Sequence, residues 1–261
     1  MTGRSITLHT LQYSKADLDA VPEDERYFFL MSTGLANELQ MLNKMVAVII
    51  ESDPADAPRI VNQGNSAYAM LVMRMLAGRM CEGWKVISGF SRKLKADYEP
   101  HMSEDGRIAL RNLRAYFNPG KGRQSLITDV RNNVAFHSLR EIVAASYNAL
   151  PATDDLGDYL HRHIGNTLYY TTEILQYEAL KQLAGATDGA EALRLMQRDA
   201  HTQTSNFNTA IYSFVVAFCE RYLKDALAKL PDETETFEVR PFDDLRLSFF
   251  SELPTLPGRA E

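Results

Sequence analysis

The sequence holds only two cysteines, Cys81 and Cys219, too few for a disulfide framework or a four-thiolate metal site. No apolar run approaches the ~20 residues that a membrane span needs. The longest, Met45 to Ile50 and Val215 to Phe218, are short pieces of amphipathic segments. The first twenty residues contain no apolar signal region, so the expectation is a soluble cytoplasmic chain with no membrane partner. Gly-x-Gly-x-x-Gly after a strand, a Walker loop and His-Glu-x-x-His are all missing, which removes the usual signatures of dinucleotide, nucleotide and zinc-hydrolase sites. No cofactor is expected. With 14 Gly and 10 Pro in 261 residues, the chain is neither collagen-like nor low in complexity.

What is present is an ordinary globular composition, 45% hydrophobic and 24% charged. The formal net charge is −6, but it is unevenly spread. The segment from Arg74 to Arg140 carries 13 basic and 6 acidic residues, a local +7, against −13 for the remainder. Such a split permits an anion-binding face on an acidic body, or two solvated helix faces of opposite sign.

Apolar periodicity is helical almost throughout. Leu35, Leu39, Leu42, Val46 and Ile49 step by 4, 3, 4 and 3, one stripe of a long helix. It starts at Pro22-Glu23-Asp24 and stops at Ser52-Asp53-Pro54, where a first-turn proline and carboxylates suit a helix N-terminus. A second helix is expected from Arg59 to Lys95, with Gly78 and Gly83 as interruption points, and a third from Ser103 to Phe117. Ser125 to Leu150 also reads as mostly helical. Beyond a boundary at Pro151 to Asp155, helices are expected near residues 154–162, 165–183, 190–201 and 205–230. In the last, Phe207, Ile211, Phe214, Phe218 and Tyr222 form the apolar stripe. Ile6-Thr7-Leu8 and Phe237-Glu238-Val239 are the only strand candidates. The fold class is therefore all-α, an antiparallel multi-helix bundle. Its parts are a core over 22–150, additional helices on the same bundle over 151–230 and an irregular tail over 231–261.

Several residue groups carry candidate chemistry. The loop from Asn118 to Ser125, with Lys121 and Arg123, offers backbone N–H groups and cations for an anion; a solvated turn explains it equally. Asp154, Asp158 and His161 share one face of any helix they form, a weak metal-ligand pattern. Because carboxylates in a first turn need no metal, none is assigned. Cys81 and Cys219 lie in apolar helical stretches, where inert buried thiols are the rule.

The strongest candidate is Arg131-Asn132-Asn133-Val134-Ala135-Phe136-His137. Arg4 to His9 and Arg194 to His201 repeat the spacing, but only the Arg131 segment combines an Arg-Asn start with an apolar helical context in the basic third. It resembles the signature of the HEPN superfamily, an Arg, an adjacent polar residue and a His after a gap of four to six residues. The resemblance covers roughly residues 22–150. It implies a HEPN-like helical core and a metal-independent endoribonuclease of toxin–antitoxin or antiphage defence type. It further implies an RNA substrate, a homodimer with a composite cleft, and an antitoxin or other protein partner. Under that resemblance Arg131, Asn132 and His137 are the catalytic candidates; Arg114, Lys121 and Arg123 are the candidates for phosphate or RNA binding.

The residue types suit the chemistry. Histidine exchanges protons near neutrality, whereas arginine stays charged and offers a planar fork to two phosphate oxygens. On an ideal helix, however, Arg131 and His137 lie about 120° apart around the axis and about 9 Å apart along it. A bent helix, a wrapping arginine or a symmetry mate is needed to join them. A structural role competes: Val130, Val134 and His137 step by 4 and 3, and Arg131 then pairs with an acidic residue such as Glu38 or Glu82. A catalytically inactive HEPN-like module that binds RNA, nucleotide or protein is the alternative function.

Overall fold

The computed structural model describes residues 4–51, 56–120, 124–135 and 140–252. Near the two ends of the described chain, strand β1 (Arg4–His9) pairs antiparallel with strand β2 (Thr234–Val239), placing Ile6 opposite Phe237. The tail beyond residue 231 thus contributes a strand as well as irregular structure. Between the strands the architecture is an all-α bundle. Its helices are α1 (Lys15–Asp19), α2 (Glu23–Ile50), α3 (Arg59–Gly89), α4 (Ser91–Lys93) and α5 (Glu104–Phe117). They continue with α6 (Leu126–Val130), α7 (Arg140–Ala149), α8 (Tyr170–Ala184), α9 (Gly189–Tyr222) and α10 (Lys224–Lys229). Two π-helical segments, Leu94–Tyr98 and Arg131–Ala135, interrupt the regular turns. Among the described residues no helix is long and apolar enough to cross a membrane.

The helix ends follow local chemistry. Pro22 and Pro58 stand at the N-caps of α2 and α3, where a missing N–H costs nothing. The side chains of Ser103, Ser125 and Asp188 accept from backbone N–H groups three residues on, satisfying otherwise orphaned donors. Gly185, at φ +61°, closes α8 in the left-handed conformation that glycine adopts without strain.

Of the three long helices, α2 packs antiparallel to both α3 and α9. Leu35 of α2 lies against Gly83 of α3 and Glu38 against Arg79, so numbers rise on one helix as they fall on the other. Between α2 and α9, Phe29 stacks on Phe218 at 4.3 Å and Tyr222 reaches Glu25 at 2.8 Å. Between α5 and α9, Ser103 meets Ser213 and Tyr116 meets Asp199. Leu35, Leu39, Val46 and Ile49 are buried, as are Met70, Met73, Leu76 and Met80 of α3 and Phe207, Ile211, Phe214 and Phe218 of α9. Helices before and after residue 150 share this one core.

Several boundaries differ from those expected, for identifiable reasons. α3 runs unbroken through Gly78 and Gly83. A Cβ on Gly83 would stand 2.6 Å from the methyls of Leu35, so this glycine permits close approach rather than a break. α3 ends at Gly89, and the expected continuation to Lys95 is divided between α4 and a π segment. The helix expected over 190–201 and most of the one expected over 205–230 are continuous as α9, because Gln203 and Thr204 are buried against the bundle and carry it through the polar stretch; α9 ends at Tyr222, and the remainder forms α10. No helix forms over 154–162; that segment is extended, with Tyr159 bridged to Leu168.

One polar group sits deep in the core. Glu25, in the first turn of α2, is 2% exposed. It accepts from Tyr222 Oη at 2.8 Å and from Tyr98 Oη, and pairs with Lys93 Nζ at 2.7 Å. Burial pushes its carboxyl up, yet the bonds from Lys93, Tyr98 and Tyr222 outweigh that and hold it below the usual glutamate range.

Candidate functional site

Ser125 caps α6, a single turn that leads directly into the π-helical segment carrying Arg131, Asn132 and Asn133. Asn133 Nδ2 donates to the Asp129 carbonyl at 2.9 Å. That carbonyl is the acceptor an α-helix would give to the residue-133 amide, so the side chain competes with regular geometry and favours the wider turn.

The guanidinium of Arg131 has two partners. Nη1 donates to Asn132 Oδ1 at 3.0 Å and Nη2 to Glu82 Oε1 at 3.2 Å. Asn132 in turn donates from Nδ2 to Gln124 Oε1 at 3.4 Å. Arg131 therefore does take one of the two carboxylate partners considered from sequence, Glu82; the other, Glu38, pairs with Arg79. Both ends of the Arg131–Glu82 contact keep solvent exposure, 33% and 44% of the side chains. Glu82 also accepts from Lys85 at 2.8 Å, and this bond, reinforced by Arg131, holds its carboxyl below the ordinary range.

Arg131 lies on the rim of an open groove of about 740 Å³ between α2 and α3. Met41, Met45 and Met75 line it, and the ion pairs Arg79–Glu38 and Arg131–Glu82 border it. Two guanidiniums and two carboxylates leave the border without net charge. This groove depends on the register between two helices, which no local sequence pattern encodes.

His137, Lys121 and Arg123 lie outside the described residues. Arg114, near the end of α5, forms a two-pronged pair with Glu99, Nη1 donating to Oε2 at 3.2 Å and Nη2 to Oε1. An anion arriving there competes with a carboxylate already in place. Asp158 Oδ1 accepts from the Thr171 amide at 3.0 Å, and His161 Nδ1 from the His163 amide at 3.0 Å. Those residues are thus engaged in shaping a loop. Among the described residues no group of three or more His, Cys, Asp or Glu is placed to hold a metal ion.

Both cysteines are buried. Cys81 Sγ lies 4.0 Å from Thr128 Oγ1. Burial pushes the Cys81 thiol up, and the Cys219 thiol up to about 11.

A second polar site was missed from sequence. Arg74, in the middle of the apolar run of α3, donates from Nη1 to Gln176 Oε1 of α8. A lone arginine among Met70, Val72, Met73 and Leu76 was the available signal, since a charge is seldom buried without a partner.

No family model matches the chain, and comparisons with curated proteins and with solved structures likewise find no match.

Proposed function

We propose that this chain is a metal-independent endoribonuclease of HEPN type, working as a homodimer in toxin or antiphage defence. The observation that carries the reading is the Arg131–Asn132 pair, a partly exposed guanidinium held by its neighbour's amide oxygen at the edge of an open groove. A guanidinium so presented binds two oxygens of a scissile phosphate and stabilises the charge that builds on it. His137, six residues on, supplies proton exchange at neutral pH, taking the proton of the attacking 2′-hydroxyl or giving one to the leaving oxygen. The π segment supports the pairing, because Arg131 and His137 do not share a face of a regular helix. Met41 and Met75, 65% and 45% exposed along the groove, support a protein partner at this face.

The test is RNA degradation by purified dimer in the presence of chelator, lost in Arg131→Ala and His137→Ala variants that stay folded by circular dichroism. Intact RNA after prolonged incubation with wild type removes the reading.

A second reading, an inactive HEPN-like module that binds RNA, nucleotide or a protein, is favoured by a separate observation. Arg131 and Arg114 are each neutralised by a carboxylate, Glu82 and Glu99. It predicts salt-sensitive RNA binding without product. Binding unchanged by alanine at Arg114, Lys121 and Arg123 together would count against its RNA version.

A further inference from the structure

We propose that the cavity enclosed by α3, the 131–135 segment, α7 and α8 is a binding site for a small organic carboxylate with a short aliphatic tail. This goes beyond the ribonuclease reading and does not depend on it.

The cavity has a volume of about 280 Å³. Its polar lining comes from Arg74, Asn133, Ser146, Thr172 and Gln176, and Val134, Ile142 and Leu175 form apolar walls. Ser146 is 1% exposed, and its Oγ has no hydrogen-bond partner among the described residues. A serine within a helix can bond back to the carbonyl one turn earlier; this one makes no such bond and has no other among the described residues, which leaves its hydroxyl available to an occupant. An isolated buried hydroxyl is unfavourable and calls for a partner.

Arg74 points to the nature of that partner. Its Nη1 is taken by Gln176, while Nε is shut off from solvent without a partner among the described residues. Gln176 Nε2 lies 3.5 Å from Glu173 Oε1, and Glu173 Oε2 is likewise buried and unpartnered. The guanidinium and this carboxylate are therefore bridged by an amide instead of touching. Burial pushes Glu173 up and Arg74 down from their ordinary values, a sign that neither is fully compensated.

Arg74 is the one charged side chain among the described residues lining the cavity. A monoanion matches a single guanidinium, whose planar edge suits a carboxylate. A phosphate dianion carries more charge than the single Arg74 guanidinium balances. Waters alone satisfy the polar atoms but leave the walls of Val134, Ile142 and Leu175 wet, whereas an aliphatic tail covers them. Val143, 44% exposed, and Thr172, also exposed, border the cavity and mark its opening.

The experiment is isothermal titration of the full chain with isovalerate, beside its neutral isostere isovaleramide and inorganic phosphate. Saturable isovalerate binding is expected, weaker by about tenfold or more for isovaleramide and for the Ser146→Ala variant. Val143→Trp, a substitution at an exposed position that plugs the opening, abolishes binding while thermal unfolding stays unchanged. Absence of saturable isovalerate binding, equal binding of isovaleramide or phosphate, or undiminished binding in Val143→Trp overturns the proposal. None of these readouts involves RNA, so its failure is separable from failure of the ribonuclease reading.

Discussion

Arg131 Nη2 lies 3.2 Å from Glu82 Oε1, tying the π-helical segment to the C-terminal half of α3. The same guanidinium holds Asn132, so one cation joins the candidate motif to a helix of the central hairpin. Because both side chains are partly solvated, this contact orients more than it stabilises.

Glu82→Ala is expected to change unfolding stability by less than about 1 kcal/mol while freeing Arg131. If Arg131 contacts phosphate, the variant binds RNA more tightly at low salt, measured by fluorescence anisotropy across a salt series. Unchanged affinity would detach Arg131 from any phosphate role.

Glu25 behaves differently because it is buried. Its folded carboxyl is held below the ordinary range, so its stabilising effect is complete above an unfolded value of about 4.3 and disappears as pH falls through the lowered folded value. Glu25→Ala is expected to cost about 3 kcal/mol at pH 7. Glu25→Gln is expected to flatten the acid limb of a stability–pH curve measured by urea unfolding. An acid limb identical to wild type contradicts this.

Two glycines should respond oppositely to alanine. Gly34 in α2 is exposed and a Cβ there meets nothing within 4 Å, so Gly34→Ala is expected to gain about 0.5–1 kcal/mol. A Cβ on Gly106 would stand 2.3 Å from Ser213 Cβ, at the contact where Ser103 and Ser213 bond. Gly106→Ala is expected to lose about 1–3 kcal/mol through overpacking. Paired urea titrations check both signs.

Cys81 and Cys219 are buried, and their thiols are raised by that burial. Iodoacetamide labelling of native protein at neutral pH should therefore be slower than of unfolded protein by about tenfold or more. Rapid native labelling of either residue, read by mass spectrometry, would refute its burial.

Much of the bundle is legible in the sequence because helix stripes are local. The steps of Leu35–Ile49 and Phe207–Tyr222, and the caps Pro22, Ser103 and Ser125, depend on near neighbours alone. Residues 154–162 mislead for the complementary reason. Leu156, Leu160 and Ile164 have helical spacing, yet they are 43%, 75% and 81% exposed, so no packing surface offsets the cost of forming a helix there. The segment is instead drawn into an extended bridge to Leu168, with Asp158 bonded to the Thr171 amide. The choice between Glu38 and Glu82 for Arg131 was similarly undecidable from sequence. It depends on where α6 meets the α2–α3 hairpin, a long-range property. The cavity around Ser146 combines four elements, and no single stretch encodes it.

The wide turn at Arg131–Ala135 accommodates more backbone per revolution than an α-helix does. Removing Asn132 would rephase everything after it by roughly 100° relative to α6. Asn133 would swing away from the interior cavity, while Arg131, which precedes the deletion and directly follows α6, would stay on the methionine-lined groove. Surface and interior are thereby aimed by neighbouring residues of one turn, and shortening that turn past its first residue re-aims the interior side alone.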